Sequence, residues 1–359
     1  MKNSYKIYHQ KFLYIYFIFL SLIIFFFSTV KLEAKAFDIN NIDISRPFEI
    51  NFNKNEVIEE GFKEAFFKLI SLIVKSTDQK KINQIKLNEI KGMVESFTIK
   101  EEKFIDEIYY LTLNVSFNKK RIFNLLESKN IFPSLLIKKK IFFIPIIVDE
   151  NKDEILMFSE NYLFNIWNSN IKKYHLLEYV LPEEDLEDFN LIKQNLKNLE
   201  NYDFNEIIKK YNLEDYIITI VFKNDNEISV LNKINFNKKK DFKNLKYKNL
   251  DINNDIEIKE FTENLKTIFE NHWKSKNEIN TSVKLSLTIS ANNNDYMKIS
   301  QFEKTLSNTD LIYDFYIFKF NNRKNIYKII FNGTPDYFLK IMNKKNHHFN
   351  TLNQVWSLE

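Results

Sequence analysis

The sequence predicts a mixed α+β and α/β protein: three small consecutive domains behind an N-terminal signal segment, the last of them ferredoxin-like. Three observations predict it. The chain has 359 residues, more than one hydrophobic core of ordinary size uses. Its hydrophobic fraction of 44% and charged fraction of 28% are the balance of a folded globular chain. Apolar residues recur at the helical period in some windows and alternate in others, with strands and helices interleaved in the middle and last thirds.

Residues 1–36 form the signal segment. Lys2, Lys6 and Lys11 make a basic leader, residues 12–30 run without a charge, and Ala34 and Ala36 follow in the A-x-A spacing of a cleavage site. Cleavage after Ala36 is expected. The alternative is an uncleaved anchor, because an apolar run of about 20 residues also spans a bilayer. The membrane then enters only through this segment. In both cases the basic residues stay cytoplasmic and the chain from Phe37 onward is exported to the periplasm.

Residues 37–135 read as helices on a small antiparallel sheet. Over residues 53–74, Ile58, Phe62, Ala65, Phe66, Leu69, Ile70 and Ile73 keep helical spacing, with Asn53 as N-cap three residues before Glu56. A short helix is expected over 87–94 and strands over 95–100 and 107–117. In the second strand Tyr109, Leu111, Leu113, Val115 and Phe117 alternate with polar neighbours. A helix over 121–128 closes the unit.

Residues 136–278 read as an α/β sandwich. Residues 141–148 are an apolar run of the kind buried on both faces of a sheet. Helical spacing covers 162–169, a short strand ends at Pro182, and helices follow over 186–196 and 204–211. Strands over 216–223 and 227–236 flank the turn Asn224-Asp225-Asn226. The lysine-rich residues 237–248 read as a solvated loop, and 255–271 as a long amphipathic helix. Residues 279–359 then give strand, helix, two strands, helix and a strand over 349–356, with Pro335 in a first helical turn. That order is the ferredoxin-like βαββαβ arrangement.

Several chemistries are excluded outright. The only glycines are Gly61, Gly92 and Gly333, so the glycine-rich dinucleotide and P-loop motifs and the nucleophile elbow cannot be written. There is no cysteine, hence no disulfide, thiolate metal site or thiol nucleophile. The body's histidines, His175, His272, His347 and His348, lack metal-ligand spacing, and the last two read as an exposed turn. Residues 1–36 hold five of the 52 basic side chains and one of the 48 acidic ones, leaving 47 of each in a neutral body. A neutral body gives no reason to expect nucleic acid as a partner. No cofactor is expected.

One acidic cluster stands out, Glu183-Glu184-Asp185-Leu186-Glu187-Asp188, between a strand end and a helix start. Carboxylates there could bind a ligand or cation or do acid–base work, since close carboxyls split their pKa values and strand ends of α/β sheets hold ligands. Asp185 as helix N-cap, with Glu187 and Asp188 at the positive helix end, explains the same spacing structurally.

With the following residues 208–211 and 216–222, this stretch resembles the domain of unknown function 2066 family of exported bacterial proteins. Further marks are Ala65 in the early helix, Val115-Ser116-Phe117 leading into Leu125-Leu126, Asp295-Tyr296 at a helix start and Phe331-Asn332-Gly333. The resemblance spans nearly all of the exported part and implies compartment and architecture, with no activity attached. The middle part is similar in layout to the N-terminal α/β domain of TolB, which acts through protein partners. The expected function is a non-catalytic cell-envelope protein that binds a protein partner or assembles a complex. Two alternatives stay open: a carboxylate-dependent hydrolase of cell-wall or glycan material using Asp185 or Asp188, and a small-ligand or cation-binding module at the same strand end.

Overall fold

The first sheet opens with strand β1 (Asp38–Pro47). The structure, a computed structural model, describes residues 37–169, 175–224 and 227–359. The expected signal segment, with Ala34 and Ala36, lies outside the described residues. Strand β1 is absent from the sequence expectation because Asn41 adopts positive φ and shifts the register between Ile39 and Ile42, which breaks the alternation of buried Ile39, Ile42 and Ile44. Helices α1 (Lys54–Ile73), α2 (Ser76–Gln79) and α3 (Leu87–Met93) follow, then strands β2 (Val94–Ile105) and β3 (Ile108–Phe117) and helix α4 (Lys119–Ser128). The sheet is antiparallel in the order β1-β3-β2. Helix α1 starts where Asn53 accepts a hydrogen bond from Asn55 N at 3.0 Å, and it buries Phe62, Ala65, Phe66, Leu69 and Ile70 on the sheet.

The second sheet comprises β4 (Lys139–Asp149), β5 (Glu154–Leu156), β6 (Leu177–Val180), β7 (Tyr216–Lys223), β8 (Glu227–Phe236) and β9 (Lys239–Lys248). Its order is β5-β4-β7-β8-β9, with β6 on β4 beside β5. Strand β4 runs parallel to β6 and β7, and β7, β8 and β9 form an antiparallel meander. Helices lie on both faces, which is why residues 141–148 are apolar throughout. Phe142, Ile144, Ile146 and Val148 pack toward α6 (Leu186–Gln194) and α7 (Asn205–Lys210). On the opposite side Phe143 stacks on Trp167 of α5 (Tyr162–Trp167) at 3.9 Å between centroids, with Phe269 of α8 (Asp255–Lys276) next to both.

Residues 239–248 are therefore an edge strand, not the solvated loop the lysines indicate. Asn237 and Lys238 both take positive φ and make a tight hairpin turn. Asp241, Lys243, Leu245 and Tyr247 are half-buried while Lys240, Lys246 and Lys248 face solvent. Outward lysines on an edge strand discourage pairing with other chains.

The third sheet contains β10 (Leu285–Asn292), β11 (Ile312–Phe320), β12 (Lys324–Phe331), β13 (Phe349–Asn350) and β14 (Trp356–Leu358), in the order β11-β12-β10-β14-β13. Helices α9 (Tyr296–Ser307) and α10 (Pro335–Lys344) follow β10 and β12 in the chain. The expected single strand over 349–356 is instead a short hairpin. Because β13 turns back, β14 lies parallel to β10, whereas a single strand returning from α10 would run antiparallel to it. His347 is also not in an exposed turn. It is buried against Phe302, with Nε2 2.9 Å from the Thr305 hydroxyl.

Residues 37–359 form one compact unit of mixed α and β structure with three sheets. Among the described residues no helix is long and apolar enough to cross a membrane.

Candidate functional site

The acidic stretch opens helix α6. Asp185 takes the N-cap position with extended backbone, and its Oδ1 accepts from Glu187 N at 2.7 Å and Asp188 N at 3.4 Å. Its Oδ2 accepts from Lys210 Nζ at 2.8 Å, and the same ammonium donates to Asp188 Oδ1 at 2.6 Å. Its hydrogen bonds to Asp185 and then Asp188 raise the Lys210 pKa well above the usual lysine range, and the hydrogen bond accepted from Lys210 lowers that of Asp185. Asp185 and Asp188 are thus brought together on one cation that joins α6 to α7, while Glu187 faces solvent. Asp188 is buried, and its Oδ2 has no hydrogen-bond partner among the described residues. A glycosidase needs two carboxyls facing a cleft. Here both oxygens of Asp185 and one of Asp188 are engaged in capping and bracing the helices.

A denser group of buried charges lies along α8. Lys266, Glu270 and Lys274 follow one another at four-residue spacing with alternating sign, all buried. Glu270 accepts the backbone N–H of Leu177 at 2.8 Å and of Leu176 at 3.0 Å, at the start of β6. Lys274 donates to the carbonyls of Ser71 and Val74, which the C-terminal end of α1 leaves without helical partners. Burial raises the Glu270 pKa, the two N–H groups partly offsetting it, and burial lowers that of Lys274. Next to them Asn271 binds both the backbone N–H and the hydroxyl of Ser76 at the start of α2, at 2.9 and 2.8 Å.

Between α1 and α8, Glu270, Asn271 and Lys274 line a cleft of about 690 Å³, with Glu64, Lys68 and His175 on its walls. His175 Nδ1 lies 3.7 Å from Glu270 Oε1. Burial raises the Glu64 carboxyl, helped by nearby Glu60, and lowers the Lys68 amine. Perturbed groups in a cleft are the usual mark of a site. Here Glu270, Asn271 and Lys274 already hold backbone groups of other elements, so their chemistry is that of a clamp.

Sequence reasoning does not find these residues. Lys210 is 22 residues from Asp188 and no spacing rule joins them. The α8 charges do carry a signal, since charged residues at 266, 270 and 274 run beside the apolar line of Phe261, Leu265, Phe269 and Trp273. Among the described residues no group of three or more His, Asp or Glu side chains could hold a metal ion.

The surface carries one further feature at the edge of the first sheet. Strand β2 is an edge strand and every residue from Glu95 to Ile105 is exposed, including Phe97, Ile99, Phe104 and Ile105. Phe97 leans on Phe62 and Phe104 on Phe48, at 5.0 and 4.9 Å between centroids, but helix α1 does not reach over the strand to bury them.

The chain matches no family model, and no curated protein matches it in sequence.

Proposed function

We propose that this chain is an exported, non-catalytic factor of the cell envelope that binds a protein partner by accepting an extended segment along the open edge of β2. The observation that carries the reading is that edge: twelve residues long, with four large apolar side chains exposed and its outer row of backbone groups without a strand partner among the described residues. Natural sheets usually shield such an edge, and strand addition is the interaction it fits. The buried charges of α8 and the caps at Asp185 are committed to the fold, which leaves this surface as the best-supported binding feature.

Export and kinship with the domain of unknown function 2066 family belong to the same proposal and rest on the residues given for them above. So does the division into three domains near residues 135 and 278, with the middle part laid out like the N-terminal domain of TolB. The separation of the strands into three sheets, one in each stretch, supports it, and the two crossings lie side by side, with Ser134 pairing with Glu278. The order β10-α9-β11-β12-α10 supports a ferredoxin-like last domain, ending in a hairpin.

The test is gentle crosslinking of the expressed protein in envelope fractions, comparing wild type with an Ile99→Lys, Phe104→Lys double variant. Both sites are exposed, at 40% and 57%, so the variant stays folded with at most the loss of the Phe104 contact with Phe48, which its melting temperature checks. A discrete crosslinked complex lost in the variant agrees with the proposal. A wild-type chain that stays monomeric, or a complex indifferent to the variant, contradicts it.

A further inference from the structure

Three segments meet at one end of the third sheet: the loop from β10 into α9, the end of β11 and the start of β12. Asn293 stitches them together, its backbone N–H donating to Arg323 O at 2.9 Å and its side-chain amide to Asn321 O at 2.7 Å. Around this stitch the exposed side chains are large and apolar. Phe320 is 82% exposed, Tyr296 79%, Met297 73% and Phe318 56%. Their neighbours are cationic. Residues 315–328 contain Lys319, Arg323, Lys324 and Lys328 and no acidic residue. None of these four makes an ion pair among the described residues, and Lys319 lies 5.4 Å from the Phe318 ring centroid. A carboxylate in the loop into α9, Asp295, is engaged as the helix N-cap, accepting from Lys298 N at 2.9 Å.

A body with equal numbers of acidic and basic side chains has therefore gathered unpaired cations around exposed aromatic rings at a single hairpin tip. We propose that this tip is a docking surface for anionic phospholipid. The rings of Phe318, Phe320 and Tyr296 and the Met297 side chain enter the headgroup boundary, where amphipathic and aromatic groups are stable. Lys319, Arg323 and Lys324 meet lipid phosphates, and their aliphatic stems lie along the rings. Pairing of a partner strand with the β11 edge fits less well. Tyr296 and Met297 belong to a helix start outside the strand, and although Tyr316 and Ile317 within β11 are exposed as well, at 49% and 46%, exposure is greatest at the tip, at Phe320, while Ile312 at the other end is buried.

The experiment is vesicle sedimentation with residues 37–359, which form one compact unit with its own cores, so that the apolar segment at 12–30 contributes no binding. Phosphatidylcholine vesicles are compared with vesicles containing roughly a third phosphatidylglycerol, where each interfacial cation is worth about a fivefold change in partitioning. Binding is expected to the anionic vesicles only, and it weakens when salt rises from about 0.1 M to about 1 M and the screening length falls from about 10 to about 3 Å. Lys319→Glu with Lys324→Glu lowers partitioning by more than about tenfold. Phe318→Ser with Phe320→Ser lowers it comparably, and Lys238→Glu with Lys240→Glu, on the distant β8–β9 turn, leaves it unchanged. If the phenylalanine variant fails to fold, the variant at the exposed lysines decides. The proposal is overturned by no binding to anionic vesicles, by equal binding to neutral ones, or by binding that the lysine variant leaves intact. Protection of β11 amides by an added protein strand, with vesicle binding absent, overturns it as well.

Discussion

At Gly61 the backbone of α1 comes so close to β3 that a methyl group would run into Leu113 Cδ1. The glycine allows close approach; Leu113 is fully buried, so overpacking there costs about 1–3 kcal/mol, of which the better helix propensity of Ala returns about 1 kcal/mol. Chemical denaturation of Gly61→Ala is expected to show a net loss of up to about 2 kcal/mol. The remaining backbone demands are met without glycine. Eleven described residues take positive φ, and six are Asn (Asn41, Asn130, Asn212, Asn237, Asn249 and Asn346) and two Asp (Asp106 and Asp153). Asn and Asp tolerate the left-handed region better than other side chains, so part of the asparagine abundance has a structural use that composition alone does not reveal. A second residue-scale prediction concerns Lys119, whose amine donates to Thr309 O at 2.9 Å and whose pKa is pushed down to about 8 by burial. Between about pH 8 and the unfolded value of 10.5 the unfolded chain binds the extra proton, so stability rises with pH across that window. Lys119→Met is expected to lose that rise, measured as the difference between denaturant midpoints at pH 8 and pH 10.

Among the elements, α8 ties the helices of the first sheet to the second sheet. Its polar side chains reach the end of α1, the start of α2 and the start of β6. Trp273 Nε1 donates to Ile137 O at 2.8 Å in the segment before β4, and Lys276 and His272 reach Asp241 of β9 at 2.8 and 3.1 Å. Replacing Glu270 by Ala leaves the buried N–H groups of Leu176 and Leu177 without their acceptor. Leaving a buried donor unsatisfied costs about 1–3 kcal/mol, and it should appear as a lowered unfolding midpoint. The period and cap rules make α1, α6 and α9 legible, because Asn53, Asp185 and Asp295 are local signals at their starts. Strand β1 is illegible where Asn41 shifts its register. Strand β9 reads as a loop because its lysines point outward from a half-buried row, and the last strand divides because β13 turns back beside α10. Glu270 and Lys210 act through residues distant in sequence, which no local pattern encodes.

The whole molecule places three sheets in one compact unit, with the two sequence segments at 134–137 and 277–279 running side by side where the chain leaves the first sheet and enters the third. Mixed α and β structure was legible at this scale from periodicity. The open edge proposed as an interaction surface was not, because the exposure of β2 depends on how far α1 extends across the sheet. A partner held along β2 is the central claim, and it is tested most directly by a photo-crosslinking side chain placed at Ile99 in cells, with Lys209 on α7 as the control position. The account predicts a discrete crosslinked species from position 99 and none from position 209. Monomer alone from position 99, or the same species from both positions, would contradict it.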